Sequence, residues 1–458
     1  MQIILREGRK MEKTYVDFGI INGRVNPMHA VNNGPVYKFA ADQRISNMDD
    51  YKEAGIPYTR NHDASSFATY GGEHTVDVNA IFPDFDADPY DEASYDFAWT
   101  DEYLKVIEFA GAKTFYRLGS KIEHGVKKYN TLPPKDFHKW AIICEHIIKH
   151  YNYGWADGFH MDIEYWEIWN EPDLDADDSE DKRCWGGTAA QFYELYNIAA
   201  NHLKSKFPEL KIGGPACAHL DEKWLDGFFK TLDAPLDFFS WHRYAYDPKW
   251  VGEMAYKARK ILDDNGYHDT ESILNEWNYV RDFVGDEFLY SLRRIADIKG
   301  AAFTAAVMSV CQNSPLDMLM YYDARPSGFN GLWKPYTYER LKGYYPFAMF
   351  NKLYMLKNNV HVSSDNQDIY VCAAKNDTGS EGAVFVTYFN DDDNSADVET
   401  KVNISGFGDS AEVIAQYYVL DEDHDCELIK EEVFTADKFS LCLKLPLYSS
   451  VLIKLKKM

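Results

Sequence analysis

Two short runs hold the residue types from which acid–base chemistry is built. Tyr165-Trp166-Glu167-Ile168-Trp169-Asn170-Glu171-Pro172 and Ser272-Ile273-Leu274-Asn275-Glu276-Trp277-Asn278 each set an Asn-Glu pair among indoles. Two carboxylates facing one another across a cleft suit acetal cleavage. One, its pKa raised by burial and by its charged neighbour, protonates the leaving oxygen; the other attacks or assists at the anomeric carbon. A gap of about 5–5.5 Å implies a retaining double displacement and one of about 6.5–9.5 Å an inverting reaction. The sequence alone leaves both open. Any single Asn-Glu among 73 acids is more often a surface pair, but two at the ends of like elements form a constellation. Pro172 cannot continue a strand ladder and marks where its element stops. Strict period-two geometry sends Asn170 and Glu171 to opposite faces, so their joint use requires irregular backbone there.

The elements that must position these groups follow a regular beat. Short apolar runs rich in β-branched and aromatic residues alternate with longer stretches of helical period. Strands are expected at Tyr15–Gly19, Pro57–Arg60, Lys113–Leu118, Tyr165–Trp169, Lys211–Gly214, Phe238–His242, Ser272–Asn275 and Asp317–Tyr322. Helices are expected at Asp101–Ala110, Asp136–Tyr151, Ala189–Phe207, Lys223–Leu232, Gly252–Asn265, Glu287–Val310 and Tyr344–Lys357. Eight such beats are the arithmetic of a (β/α)8 TIM barrel, here residues 15–358, whose catalytic groups gather where strands end. The two Asn-Glu pairs then close its fourth and seventh strands.

Beyond residue 359 the texture changes to short alternating strands, Ile369–Ala374, Gly382–Asn390, Glu399–Ile404, Glu412–Val419, Ser440–Leu445 and Ser449–Leu455. Turn clusters such as Asn390-Asp391-Asp392-Asp393-Asn394 separate them. This reads as a C-terminal antiparallel β-sandwich over residues 359–458. Gln2–Arg6, within the opening residues 1–14, is expected to add an edge strand to it.

Composition excludes several classes. Lys and Arg number 48 against 73 Asp and Glu, a net charge of −25 that argues against nucleic acid, anionic membranes and polyanions as partners. Seven scattered cysteines without a CxxC pair favour reduced thiols and a cytoplasmic protein. Neither a signal-peptide run at Met1–Gly8 nor a span of about 20 apolar residues is present in the sequence. Aromatics reach 16%; most belong to the core, and the surplus suits flat walls against sugar rings. A homo-oligomer is compatible with that surplus.

Three other signals carry no chemistry. His146 and His150 sit at helical i,i+4 without the Glu of a zinc-protease motif. In Asp173-Leu174-Asp175-Ala176-Asp177-Asp178, Asp178 replaces the Gly of a calcium loop and Cys184 its terminal Glu. Gly213-Gly214 lacks a phosphate-binding fingerprint.

Trp169-Asn170-Glu171-Pro172 at strand four with Glu276 at strand seven resembles the retaining (β/α)8 glycosidases. Within that clan the chain is similar to glycoside hydrolase family 39, which includes β-xylosidases and α-L-iduronidases. His29-Ala30-Val31-Asn32-Asn33-Gly34-Pro35, Arg60-Asn61-His62-Asp63, Ile81-Phe82-Pro83-Asp84-Phe85, Tyr116-Arg117-Leu118-Gly119 and Trp241-His242-Arg243-Tyr244 support the resemblance. It implies Glu171 as general acid/base, Glu276 as nucleophile, and Asn170 as a hydrogen-bond partner of the 2-hydroxyl. It also implies His242 and Tyr244 beside the nucleophile, and His62, Asp63 and Glu123 as ligands of sugar hydroxyls. Arg325 and Trp333 complete the expected substrate-binding set. A uronate would need a cation over its carboxylate, for which Lys121, Arg243 and Arg325 are candidates. No metal or cofactor is required.

The leading expectation is a retaining glycosidase acting on short glycosides as an exo-β-xylosidase. The alternatives are a relative acting on another sugar, such as an α-L-arabinofuranoside or an iduronide, and a non-catalytic sugar-binding barrel.

Overall fold

A computed structural model describes residues 12–36, 46–62, 75–326, 328–407, 412–435 and 438–458. Eight parallel strands close into a barrel: Ala30–Asn32, Tyr58–Arg60, Lys113–Leu118, Tyr165–Ile168, Lys211–Cys217, Phe238–Ala245, Glu271–Tyr279 and Met318–Tyr321. Helices wrap it, among them Ala98–Phe109, Phe137–Tyr153, Ala189–Lys206, Glu222–Thr231 and Pro248–Asp264. Their starts are set by side chains that satisfy first-turn N–H groups. Asp136 accepts from the Lys139 N–H, and Thr188 forms a reciprocal capping box with Gln191.

The second body is a nine-stranded, mostly antiparallel sheet with its own apolar core of Val16, Phe18, Val384, Val402, Ile453 and neighbours, consistent with a C-terminal β-sandwich. Two of its strands, Asn358–Ser364 and Asp425–Phe434, are absent from the sequence reading.

Tyr15–Gly19 is a strand, as expected, but not a barrel strand. It lies in Glu12–Arg24, which joins the second sheet between Asn358–Ser364 and Val398–Ser405. The start of the barrel at residue 15 is therefore corrected: the first barrel strand is Ala30–Asn32, three buried residues inside the run His29–Pro35. The periodicity of Tyr15–Gly19 was read correctly and its sheet was not, because alternating burial suits a strand with one exposed face. Gln2–Arg6 lies outside the described residues.

The stretch Glu287–Val310 is two helices, Gly285–Ile295 and Ile298–Gln312. Asp297 starts the second by accepting from the Lys299 N–H. The barrel numbering survives, so Glu171 follows the fourth strand. Glu276 lies within the seventh, which runs on to Tyr279 rather than stopping at Asn275.

Candidate active site

Glu171 and Glu276 meet at the carboxyl end of the barrel. One ligand atom from each of Glu171, His242 and Glu276 lies within 4.8 Å of the others. The irregular backbone that the Asn170-Glu171 pair demands is present, with Trp169 at φ +74° and Glu171 at φ +47°. The Glu171 N–H donates to the Ala216 carbonyl at 2.9 Å, tying the turn to the next strand. The Glu276 register is likewise broken, with a shift in the pairing of the sixth and seventh strands between Trp241 and His242.

Each carboxylate has a distinct set of partners. Glu276 accepts from the Tyr244 hydroxyl at 2.5 Å and from the Arg60 Nη1 at 3.4 Å. Glu171 Oε1 is joined to His242 Nδ1 at 2.8 Å, and its Oε2 lies 3.7 Å from the Cys184 thiol. His242 Nδ1 is also 3.7 Å from Glu276 Oε2, so the imidazole bridges the pair.

Burial is the main cause of the shifts here. It pushes the Glu171 carboxyl up from 4.5 to about 7, against the nearby positive charges of Arg60, His219 and Arg183. It raises Glu276 as well, helped by the Glu171 charge and opposed by His242, Arg60 and Tyr244. His242 is pushed down to about 4 by burial, so its imidazole is neutral at pH 7. Two acids this close do not ionise together at low cost. The bond to a hydroxyl and the contact with a guanidinium favour the ionised form of Glu276.

Arg60 is the residue that the sequence reading left out of the site. Its guanidinium is fully buried and donates to Glu167 Oε2 at 2.7 Å, Asn32 Oδ1 at 3.1 Å and Asn170 Oδ1 at 2.5 Å, besides Glu276. Glu167 is buried too and accepts from Ser240 Oγ at 2.6 Å and Asn275 Nδ2 at 2.5 Å. A charged residue closing the buried strand Tyr58–Arg60 was the available signal.

The remaining expected residues fall in different places. Asn170 is buried with its oxygen on Arg60. His62 follows the second strand, and its carbonyl accepts from Arg117 Nη2 at 2.7 Å; Asp63 lies outside the described residues. The Glu123 carboxylate is taken up by its own loop, accepting from the backbone of Tyr129 at 3.0 Å and from Thr131 Oγ1 at 2.8 Å. Arg325 is paired with buried Asp323 at 2.7 Å. Trp333 is fully buried, stacked on Tyr51 at 5.1 Å, with its indole N–H on Asp50. Its surroundings are those of a packing residue, which corrects its expected place in the substrate-binding set.

Aromatic rings do lie near Glu276, on other residues. Phe283, 54% exposed, meets Tyr244 edge-on at 5.2 Å, and Phe329 lies 6.1 Å from the same ring. Such a wall suits the apolar face of a sugar. Glu171, His242 and Glu276 could also gather round a cation, but Arg60 already brings a positive charge to the pair.

The rejected motifs have structural roles. His150 joins Asp101 at 3.0 Å and the Trp155 carbonyl at 2.8 Å. Asp173 accepts from the Ala218 and His219 N–H groups, and Asp175 pairs with Arg183.

Residues 69–288, which contain both glutamates, match the model of Glycosyl hydrolases family 39. The match takes in the barrel strands that carry both glutamates and just under half of the chain. A relative from Caldicellulosiruptor saccharolyticus named Beta-xylosidase is 26% identical over 304 residues, covering 59% of this chain and 57% of its own length. The chain thus spans little more than half of that relative. Among solved structures, a glucosidase from Croceicoccus marinus superposes with a TM-score of 0.79 at 22% identity, covering 98% of this chain and 100% of that one. The GH39 enzyme from Xanthomonas axonopodis pv. citri superposes at 0.68 with 14% identity and full coverage of both chains. At those identities the likeness is one of fold. Among the described residues no helix is long and apolar enough to cross a membrane, and all seven cysteines are free.

Proposed function

We propose that the protein is a retaining glycoside hydrolase that cleaves short glycosides, with Glu276 as nucleophile and Glu171 as acid/base. The observation that carries this reading is the facing pair itself, with oxygens within 4.8 Å and opposite sets of partners. That separation falls on the retaining side, since an inverting pair needs room for a water at about 6.5–9.5 Å. Glu276, held ionised by Tyr244 and Arg60, attacks the anomeric carbon as Glu171 hands its proton to the departing oxygen. Water then attacks the glycosyl-enzyme, Glu171 takes its proton, and Glu276 is released. Neutral His242 keeps Glu171 aligned without fixing its charge.

The sugar is read as a β-xyloside, cleaved from a chain end. The likeness to the Caldicellulosiruptor relative by name supports xylose; the Croceicoccus structure makes a glucoside the second reading. Free, largely buried thiols support a cytoplasmic setting, where short imported glycosides are the available substrates.

Hydrolysis of a panel of nitrophenyl glycosides tests the reading: β-xyloside, β-glucoside, β-galactoside, α-L-arabinofuranoside and α-L-iduronide. One sugar is expected to dominate, with turnover abolished in Glu276→Ala. Glu171→Ala should keep activated aryl glycosides and lose about 10²–10⁴-fold on an unactivated disaccharide. Appreciable turnover by Glu276→Ala would sink the assignment.

A further inference from the structure

We propose that Cys184 is a positioning residue for the acid/base: its thiol holds the second oxygen of Glu171 while leaving that carboxyl free to gain and lose its proton. The inference rests on the role assigned to Glu171 above.

The place of the thiol is built from several directions. Trp169, in the same irregular turn as Glu171, donates its indole N–H to the Cys184 carbonyl at 2.8 Å. The preceding residue, Arg183, is anchored by its own N–H on Asp175 Oδ2 at 2.7 Å and by a side-chain pair with the same carboxylate at 2.6 Å. The Glu123 N–H donates to the Arg183 carbonyl at 2.9 Å. Cys184 is 1% exposed, and its Sγ reaches Glu171 Oε2 at 3.7 Å. Glu171 is therefore gripped at one oxygen by His242 and at the other by sulfur.

The chemistry suits a group that must serve both as acid and as base. A guanidinium or ammonium at this spot would hold Glu171 ionised and remove the proton that the leaving group needs. An apolar side chain would leave the oxygen unpaired once the proton has gone. A thiol is a weak donor and a weak acceptor, so it serves either state without committing to one. Burial and the Glu171 charge keep it as S–H. The other groups facing Glu171 are Arg60, His219, Arg183 and His242, which favour or accept its charge, and Glu276, Asp173 and Tyr244, which oppose one another's ionisation with it.

A donor to the ionised form lowers the Glu171 pKa, so removing it raises that pKa and keeps the acid form to higher pH. The test is the pH profile of kcat/KM on an unactivated disaccharide, whose cleavage needs the Glu171 proton, for wild type, Cys184→Val, Cys184→Ala, Cys184→Ser and Glu171→Gln. Valine nearly conserves the volume and deletes the donor; serine keeps one. The basic limb is expected to move up by about half a pH unit in the valine and alanine variants, and to stay nearer wild type in serine. Alanine carries the reading if the valine variant does not fold. A basic limb unmoved in both, yet lost in Glu171→Gln, overturns the role of Cys184 alone. A basic limb that persists in Glu171→Gln overturns the acid/base assignment and this proposal with it.

Discussion

Glu171 and Glu276 are carboxyls that the folded chain holds above their ordinary range, and that has a cost in stability as well as a use in catalysis. For an acid whose pKa rises on folding, the native state binds the proton more tightly than the unfolded chain. Its contribution is fully present below the unfolded value of 4.5 and is lost as pH rises through about 7. Glu171→Gln removes that loss. The variant is expected to unfold at higher temperature than wild type at pH 8, by a stability difference on the order of 1–2 kcal/mol, and to match it near pH 4.5. Thermal melts at the two pH values check this; an equal gain at both would show that the charge is not the cause. At this scale the sequence was informative for Glu171, Glu276, His242 and Tyr244, whose motif and strand positions are local. For Arg60 it offered only a charge at the end of a buried strand, because nothing in Tyr58-Thr59-Arg60 says that this guanidinium will reach Asn170 and Glu167 two barrel strands away. Trp333 shows the converse failure: an indole in a barrel-end loop has the right composition for a sugar wall, and only packing reveals that Tyr51 covers it.

The seventh barrel strand carries Glu276, and its far end is held by the second sheet. The Tyr279 hydroxyl donates to Asp391 Oδ1 at 2.6 Å, and Arg281 pairs with the same carboxylate at 2.8 Å. Lys299, 1% exposed at the start of its helix, reaches Asp391 at 3.0 Å and Asp393 at 2.8 Å. The acidic turn that reads as a strand-separating turn cluster in the sequence thus clamps the strand of Glu276. Lys299→Met leaves half-buried Asp391 and exposed Asp393 without their buried cation. It is expected to lower stability by about 1–3 kcal/mol, read as a shift of the urea midpoint at unchanged slope. A midpoint within error of wild type would mean that Arg281 and Arg294 hold the turn unaided.

At the scale of the whole molecule, barrel and second sheet are tied together by chain order and by a shared apolar core. Glu12–Arg24 precedes the barrel in sequence yet pairs in parallel with Val398–Ser405 and antiparallel with Asn358–Ser364. The main apolar core contains barrel residues such as Phe303 and Phe347 together with Phe385, Phe389 and Leu452 of the sheet. Calorimetry is expected to show a single transition with matching calorimetric and van't Hoff enthalpies; two resolved transitions would show that barrel and sheet unfold independently.

Hydrophobic period and turn residues are local properties, so the sequence by itself determined seven of the barrel strands, the change of texture after residue 359 and the ordinal places of the two glutamates. Assignment of a strand to a sheet is not local. Tyr15–Gly19 and Ala30–Asn32 differ in burial on both faces, a quantity that exists only once helices and partner strands are in place. The same holds for the chemistry. Two Asn-Glu pairs mark two carboxylates, but the contacts that set them apart, Tyr244 and Arg60 on Glu276 and His242 and Cys184 on Glu171, exist only once the fold brings those residues within reach.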